Sequence, residues 1–444
     1  MTFYDLNLSK PLLSALDDLG IKTPTTIQHK SFAVMMSGKD VLGIAQTGTG
    51  KTFAYLLPCL RQLVFSKDKY AQILILVPTR ELVVQVVEEV NKLTKYMSVV
   101  TLGVYGGTNI KTQIEAVNKK VDVLVATPGR LLDLTLTGVL KLKAAKRLVI
   151  DEVDEMLNLG FRPQLIRIFD LMPAKRQNLM FSATITEEVE EFINNNFTIP
   201  TKIEAAPTGT PLEQIKQTVY SVPNFNTKIN FLQLLLADKS EFNKVLVFVD
   251  SKSLADDVYK KMSEIYPNEI GVIHSNKDQN FRFNSVNKFH SGEFRVLIAT
   301  DVIARGLDVA EVSYVINFDV PQVPENYIHR IGRTGRADKL GNSIAFITPK
   351  EKKNFTKIEA LMNVEVKAQK LPKELEISSI LTPDEEPKIV MKNVLVKTPK
   401  KENVGPSFHE KKDKNKKVNI KMTRADQMRV KYKKPKKRAQ KKKE

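Results

Sequence analysis

Short apolar runs recur along most of this 444-residue chain, separated by longer stretches in which apolar positions return every three or four residues. The runs at 41–45, 73–77, 99–104, 122–126, 147–150 and 178–181 predict strands, and segments such as Arg80 to Leu93 predict the helices between them. A Pro-, Gly- and Thr-rich stretch from Ala205 to Pro211 then reads as a linker. Beyond it the alternation resumes, with strands expected at 217–222, 245–249, 270–274, 296–299, 314–317 and 343–347. Strand–helix alternation places parallel strands in sheets covered on both faces, so an α/β protein with two domains of similar size is expected. No residue-level repeat relates the two halves. The expected boundaries are a first domain over 1–204, a linker over 205–211, a second domain over 212–370, an unassigned extension over 371–399 and a tail over 400–444. Residues 389–396 are a candidate strand with no assigned place.

Composition narrows the class. With 42% apolar and 27% charged residues, the chain can build real cores and is not disordered throughout. Apolar runs stop after about five residues, far short of a membrane span. The opening MTFYDLNLSK has no basic-then-apolar signal, so a cytoplasmic location is expected. A single cysteine, Cys59, excludes a disulfide framework and any cysteine-based metal site. The net charge of +19 is unevenly placed: residues 400–444 hold 19 Lys/Arg against 5 Asp/Glu, which leaves the rest at +5. With Phe408 and Tyr432 as its only aromatics, the tail is expected to be disordered when free. Its charge suits a polyanion, and a solubilising tail or a polybasic address is the alternative.

Chemistry enters at Ala45-Gln46-Thr47-Gly48-Thr49-Gly50-Lys51-Thr52, between a predicted strand and a predicted helix. Gly48 and Gly50 allow backbone N–H groups to wrap phosphates, Lys51 neutralises them, and the Thr52 hydroxyl is a ligand for Mg²⁺. A second apolar strand runs into Asp151-Glu152-Val153-Asp154. There Asp151 can hold Mg²⁺ directly or through water, with Glu152 as general base, so hydrolysis of ATP or GTP is expected. The chain has 53 Lys and 16 Arg, yet His329-Arg330-Ile331-Gly332-Arg333-Thr334-Gly335-Arg336 packs three arginines into eight residues. Arginine suits a planar, forked grip on phosphate that lysine does not imitate.

With these motifs in place, residues 3–366 resemble the DEAD-box RNA helicases of helicase superfamily 2. Phe3 with Gly20-Ile21-Lys22-Thr23-Pro24-Thr25-Thr26-Ile27-Gln28 resembles the family's adenine-reading motif. The resemblance implies two tandem RecA-like domains, ATP and Mg²⁺ as ligands, and RNA as partner. It assigns RNA contacts to Pro78, Thr79, Arg80, Gly107, Thr127, Pro128 and Arg130 in the first domain, and to Arg282 and Thr300 in the second. Ser182 and Thr184 would couple hydrolysis to strand separation, Asp154 and His329 would link the domains, and Asp308 would contact the ribose. Arg333 and Arg336 would be arginine fingers. The chain departs from the family at Val153, where Ala is usual and where extra bulk under the site is expected. It also departs at Ile21, in place of an aromatic beside adenine, and at Ser275, in place of Gly after His274. The function expected is ATP-driven separation of short RNA duplexes, or remodelling of RNA–protein complexes, by closure of the two domains on ATP and single-stranded RNA. An ATP-gated RNA clamp that separates no duplex is the alternative. A DNA-unwinding relative and a small-molecule kinase fit less well, since the second would leave the second domain unexplained.

Overall fold

The computed structural model describes residues 2–46, 48–198, 200–205, 215–301, 312–335, 340–383, 385–386 and 422–432. Two seven-stranded parallel sheets organise the chain. The first contains β1 (Val41–Ile44), β2 (Ile73–Leu76), β3 (Thr101–Val104), β4 (Val123–Ala126), β5 (Arg147–Ile150), β6 (Gln177–Ser182) and β7 (Thr201–Glu204). The second contains β8 (Ile215–Ser221), β9 (Val245–Val249), β10 (Ile270–Ile273), β11 (Val296–Thr300), β12 (Tyr314–Asn317), β13 (Gly341–Ile347) and β14 (Ala368–Gln369). Their orders are β3-β4-β2-β5-β6-β1-β7 and β10-β11-β9-β12-β13-β8-β14. These are one topology used twice, although no residue-level repeat betrays it.

Burial on both faces explains why the central strands read as unbroken apolar runs. In β2, Ile73 and Ile75 join one core with Tyr55, Val83 and Phe181, while Leu74 and Leu76 join another with Leu124, Ile150 and Phe192. In β9, Val245, Val247 and Val249 face one side, and Leu246 and Phe248 face the other. Because all strands are parallel, their carboxyl ends share one edge, where α/β sheets place their ligands. The segments leaving β1, β2, β4, β5 and β6 at that edge carry the phosphate loop, Pro78-Thr79-Arg80, Thr127-Pro128, Asp151-Glu152 and Ser182-Ala183-Thr184.

Two strands differ from expectation. β7 and β14 lie at sheet edges, and neither offers the long apolar run that marks a central strand. Described residues of the extension between 371 and 386 strap the helix Phe225–Ala237. Asn224 and Asn230 donate to the Ser378 and Glu376 carbonyls, Glu385 accepts from the Phe225 amide, and Leu375 enters the core of the second sheet. Most of the linker and residues 389–396 lie outside the described residues. Within the tail, a helix at Arg424–Tyr432 departs from the expected disorder. Thr423 caps it, with Asp426 N donating to Thr423 Oγ1 at 3.4 Å, and its Arg, Ala, Gln, Met and Lys residues favour helix without any buried contact. Among the described residues, no helix is long and apolar enough to cross a membrane.

Candidate functional site

The phosphate loop leaves β1 and opens the helix Lys51–Arg61. Gly48 and Gly50 have φ of +82° and +86°, the left-handed region that a loop curling its amides inward requires. Lys51 is buried, and its Nζ has no hydrogen-bond partner. An orphaned buried ammonium is costly, so a loop of this kind is complementary to a polyanion. Gln28 is tied to the loop: its Nε2 donates to the Gly50 carbonyl at 3.1 Å and its Oε1 accepts from Thr25 N at 2.9 Å. One N–H and one lone pair of the amide remain, the pair of functions that an adenine edge requires. A side chain on Gly50 would meet Gln28 Nε2 at 2.4 Å. Phe3 is fully buried in the first-domain core, and Ile21 packs at its border.

Asp151 and Glu152 follow β5. The buried Tyr55 hydroxyl donates to Asp151 Oδ2 at 3.0 Å, while Glu152 N donates to Asp151 Oδ1 at 3.0 Å. Thr52 and Asp151 are the two expected metal ligands. Each Asp151 oxygen retains lone pairs, so the pair fits a magnesium ion that completes its shell with phosphate and water. Burial raises the Asp151 carboxyl above its usual range, against the pull of Lys51. Glu152 is a non-glycine residue at φ +54°, and its Oε2 is buried without a partner. Burial pushes its carboxyl up to about 7, opposed by Lys51 and Arg333 and reinforced by Asp151 and Asp154. Val153 does not crowd the site; its side chain is fully buried in the core beside Ile150 and Met156.

Asp154 is the hub between the two sheets. Its Oδ2 accepts from Thr184 N at 3.0 Å and Thr184 Oγ1 at 2.8 Å, and Ser182 Oγ donates to the Thr184 carbonyl. His329 Nε2, from the second domain, lies 3.8 Å from the same Asp154 oxygen. Arg333 is buried, and its positive charge opposes the upward shift of the Glu152 carboxyl. Arg330 instead holds its own domain together: it grips Asp301 with two nitrogens, donates to the Asp319 carbonyl and sits over the Phe248 ring.

The first-domain residues expected at RNA converge on one edge. Thr79 caps the helix Arg80–Leu93, its hydroxyl accepting from Leu82 N, and Thr127 precedes the helix Pro128–Leu136. Two helix N-termini with free amides side by side suit phosphates. The Arg80 guanidinium lies on Gly107, where an added Cβ would meet it at 1.9 Å, and Arg130 donates to the Thr108 carbonyl at 2.9 Å. Thr300 ends β11 and is buried. Arg282 crosses the cleft, with Nη2 2.8 Å from Glu81 Oε1 and both side chains buried. Thr47, Asp308 and Arg336 lie outside the described residues. Sequence reasoning missed Tyr55 and Glu81. Tyr55 lies one helical turn beyond Lys51, a spacing that hints at a shared face, and Glu81 reads as an ordinary acidic helix start.

Residues 25–192 match the DEAD/DEAH box helicase model, and residues 227–338 match the helicase conserved C-terminal domain. The DEAD-box ATP-dependent RNA helicase RhpA of Helicobacter pylori is 37% identical over 372 residues, covering 84% of this chain and 74% of its own. CshA of Geobacillus kaustophilus, another DEAD-box ATP-dependent RNA helicase, is 38% identical over 372 residues, covering 84% and 79%. Among solved structures, S. cerevisiae Dbp5 bound to RNA and ADP BeF3 has a TM-score of 0.76 at 28% identity, covering 83% of this chain and 95% of its own. Mss116p bound to single-stranded RNA and AMP-PNP has a TM-score of 0.77 at 28% identity, covering 84% and 80%. The two sheets are the tandem RecA-like domains of those structures. Since relatives of 37–38% identity match 84% of this chain and 74–79% of their own, this protein belongs to the DEAD-box ATP-dependent RNA helicases.

Proposed function

We propose that this helicase binds ATP at the 45–52 loop and RNA along the neighbouring edge, and that closure of its two domains separates short duplexes or remodels RNA–protein complexes. The observation that carries this is the approach of His329, from the second domain, to within 3.8 Å of Asp154 in the first, two residues from Glu152. In this reading the loop amides and Lys51 hold the phosphates, while Glu152 takes the proton of the attacking water. Arg333 and Arg336 stabilise the charge that develops on the γ-phosphate. Mg²⁺ bound at Thr52 and Asp151 would neutralise phosphate charge. Thr184 and His329, both on Asp154, would report the state of the nucleotide to the second domain. Thr79, Arg80, Gly107, Thr127, Pro128, Arg130, Arg282 and Thr300 would hold RNA through its backbone, which positions a strand without reading its sequence. A cytoplasmic location accompanies this reading.

Single-turnover strand separation of a short RNA duplex, with and without ATP, tests the proposal. ATP-dependent separation that is lost in Glu152→Gln supports it. ATP hydrolysis without separation would favour the clamp. The basic tail is proposed to raise the local concentration of RNA, as a flexible polycation does. Deleting residues 400–444 should weaken RNA binding and flatten its salt dependence; an unchanged slope would contradict that role.

A further inference from the structure

Three loops meet at the amino end of the first sheet, opposite the nucleotide edge. They are residues 63–72 before β2, 118–122 before β4 and 141–147 before β5, and these strands are neighbours. Hydrogen bonds stitch them into one surface: Gln72 Nε2 donates to the Val64 carbonyl at 2.6 Å, Val121 N to Lys69 O at 3.0 Å and Lys146 N to Gln72 O at 2.8 Å. Together they hold seven lysines and one arginine against two aspartates, whereas all of residues 1–204 have a net charge of only +3. The concentration of charge is therefore not a by-product of a lysine-rich chain. One of the aspartates, Asp122, is paired with Lys120 at 3.5 Å.

Aromatic surface lies within this charge. Phe65 is 81% exposed beside the exposed Val64, and Tyr70, in the same loop, is half-buried. The Lys120 ammonium sits 4.6 Å from the Phe65 ring centre, and Lys143 and Lys69 sit 5.1 and 5.7 Å from that of Tyr70. A solvated basic face has no use for an exposed phenylalanine. Exposed rings among ammonium groups are what single-stranded nucleic acid requires, with bases stacking on the rings and phosphates meeting the lysines. An acidic peptide would satisfy the lysines but carries a stacking ring only at its aromatic residues, whereas every nucleotide of a strand supplies both a phosphate and a base.

We propose that this surface is a second, sequence-independent platform for single-stranded RNA, engaging a stretch of the same strand outside the cleft. The proposal rests on RNA being the substrate of the cleft. Strands of four residues separate the two edges by about 13 Å of sheet, so only RNA longer than the cleft itself reaches both.

The test compares two oligouridylates bound to the full chain, one short enough to fill the cleft alone and one several times longer. Phe65→Ala should weaken binding of the long strand by roughly ten-fold. The triple variant Lys119→Ala, Lys120→Ala and Lys143→Ala should lower the slope of its salt dependence by about two. Binding of the short strand, and the ATPase activity it stimulates, should remain as in the wild type, which also controls for folding. Equal losses on both lengths, or none, would overturn the proposal. So would a loss confined to the lysine variant, because a platform needs its ring. If short RNA fails to stimulate the wild-type ATPase, the helicase reading fails independently of this surface.

Discussion

Glu152 combines two features that cost stability: a left-handed backbone at a non-glycine residue and a carboxyl pushed up to about 7 by burial. Both are explicable if the carboxylate has to receive a proton from water, because a base works best with a pKa near the working pH. Only the ionised form can act, so ATP hydrolysis should fall about ten-fold per pH unit as pH drops below about 7. A flat rate between pH 6 and 8 would remove Glu152 from this role. The same shift has a consequence for folding. The unfolded carboxyl ionises near 4.5 and the folded one near 7, so its contribution to stability declines as pH rises between those values. Glu152→Gln should therefore be inactive yet melt higher than the wild type at pH 8. Tyr55 is placed as a positioning residue, because its hydroxyl holds the Asp151 carboxylate at 3.0 Å. Tyr55→Phe should raise the magnesium concentration needed for half-maximal hydrolysis by about ten-fold. Magnesium-dependent binding of a fluorescent ATP analogue should weaken in parallel, while binding without magnesium should not. Val153→Ala, by contrast, opens a hole in the core and should cost about 1–3 kcal/mol in urea unfolding with little change in turnover.

At the scale of elements, the strands were legible because their chemistry is uniform. β2, β4 and β9 are buried on both faces and consist almost wholly of branched aliphatic residues, so their ends fall within a residue or two of expectation. β7 and β14 were not legible, because an edge strand such as Thr201–Glu204 gains its order from a neighbour rather than from its own pattern. The identical order of the two sheets was equally hidden, since topology is conserved in pairing and not in residue identity. Lys51, Asp151, Glu152 and the arginine motif stand out in the sequence as candidates because phosphate chemistry restricts which residue types can serve. Tyr55 and Glu81 could not, since each acquires its meaning from a partner, Asp151 or Arg282, that is distant in sequence. Glu81 leads the helix Arg80–Leu93 and Arg282 lies in the helix Gln279–Ser291, so their buried pair joins two elements across the cleft. Breaking a buried pair strands a charge. Glu81→Gln, which leaves the Arg282 charge buried without its carboxylate, should reduce RNA-stimulated ATPase activity by about ten-fold while ATP binding stays as in the wild type. Wild-type stimulation in that variant would show that the pair does not contribute to closure.

Across the whole molecule, the machinery is divided. In the proposed function, nucleotide chemistry belongs to the first sheet, and the residues that would answer it, His329 and Arg333, come from the second. A site shared in this way makes hydrolysis conditional on closure, and closure conditional on ligands that touch both halves. Energy transfer between fluorophores placed on the two domains, read with a non-hydrolysable ATP analogue and single-stranded RNA separately and together, tests this directly. The account predicts a short interdomain distance only when both ligands are present. A distance that shortens fully with either ligand alone, or with neither, would contradict it.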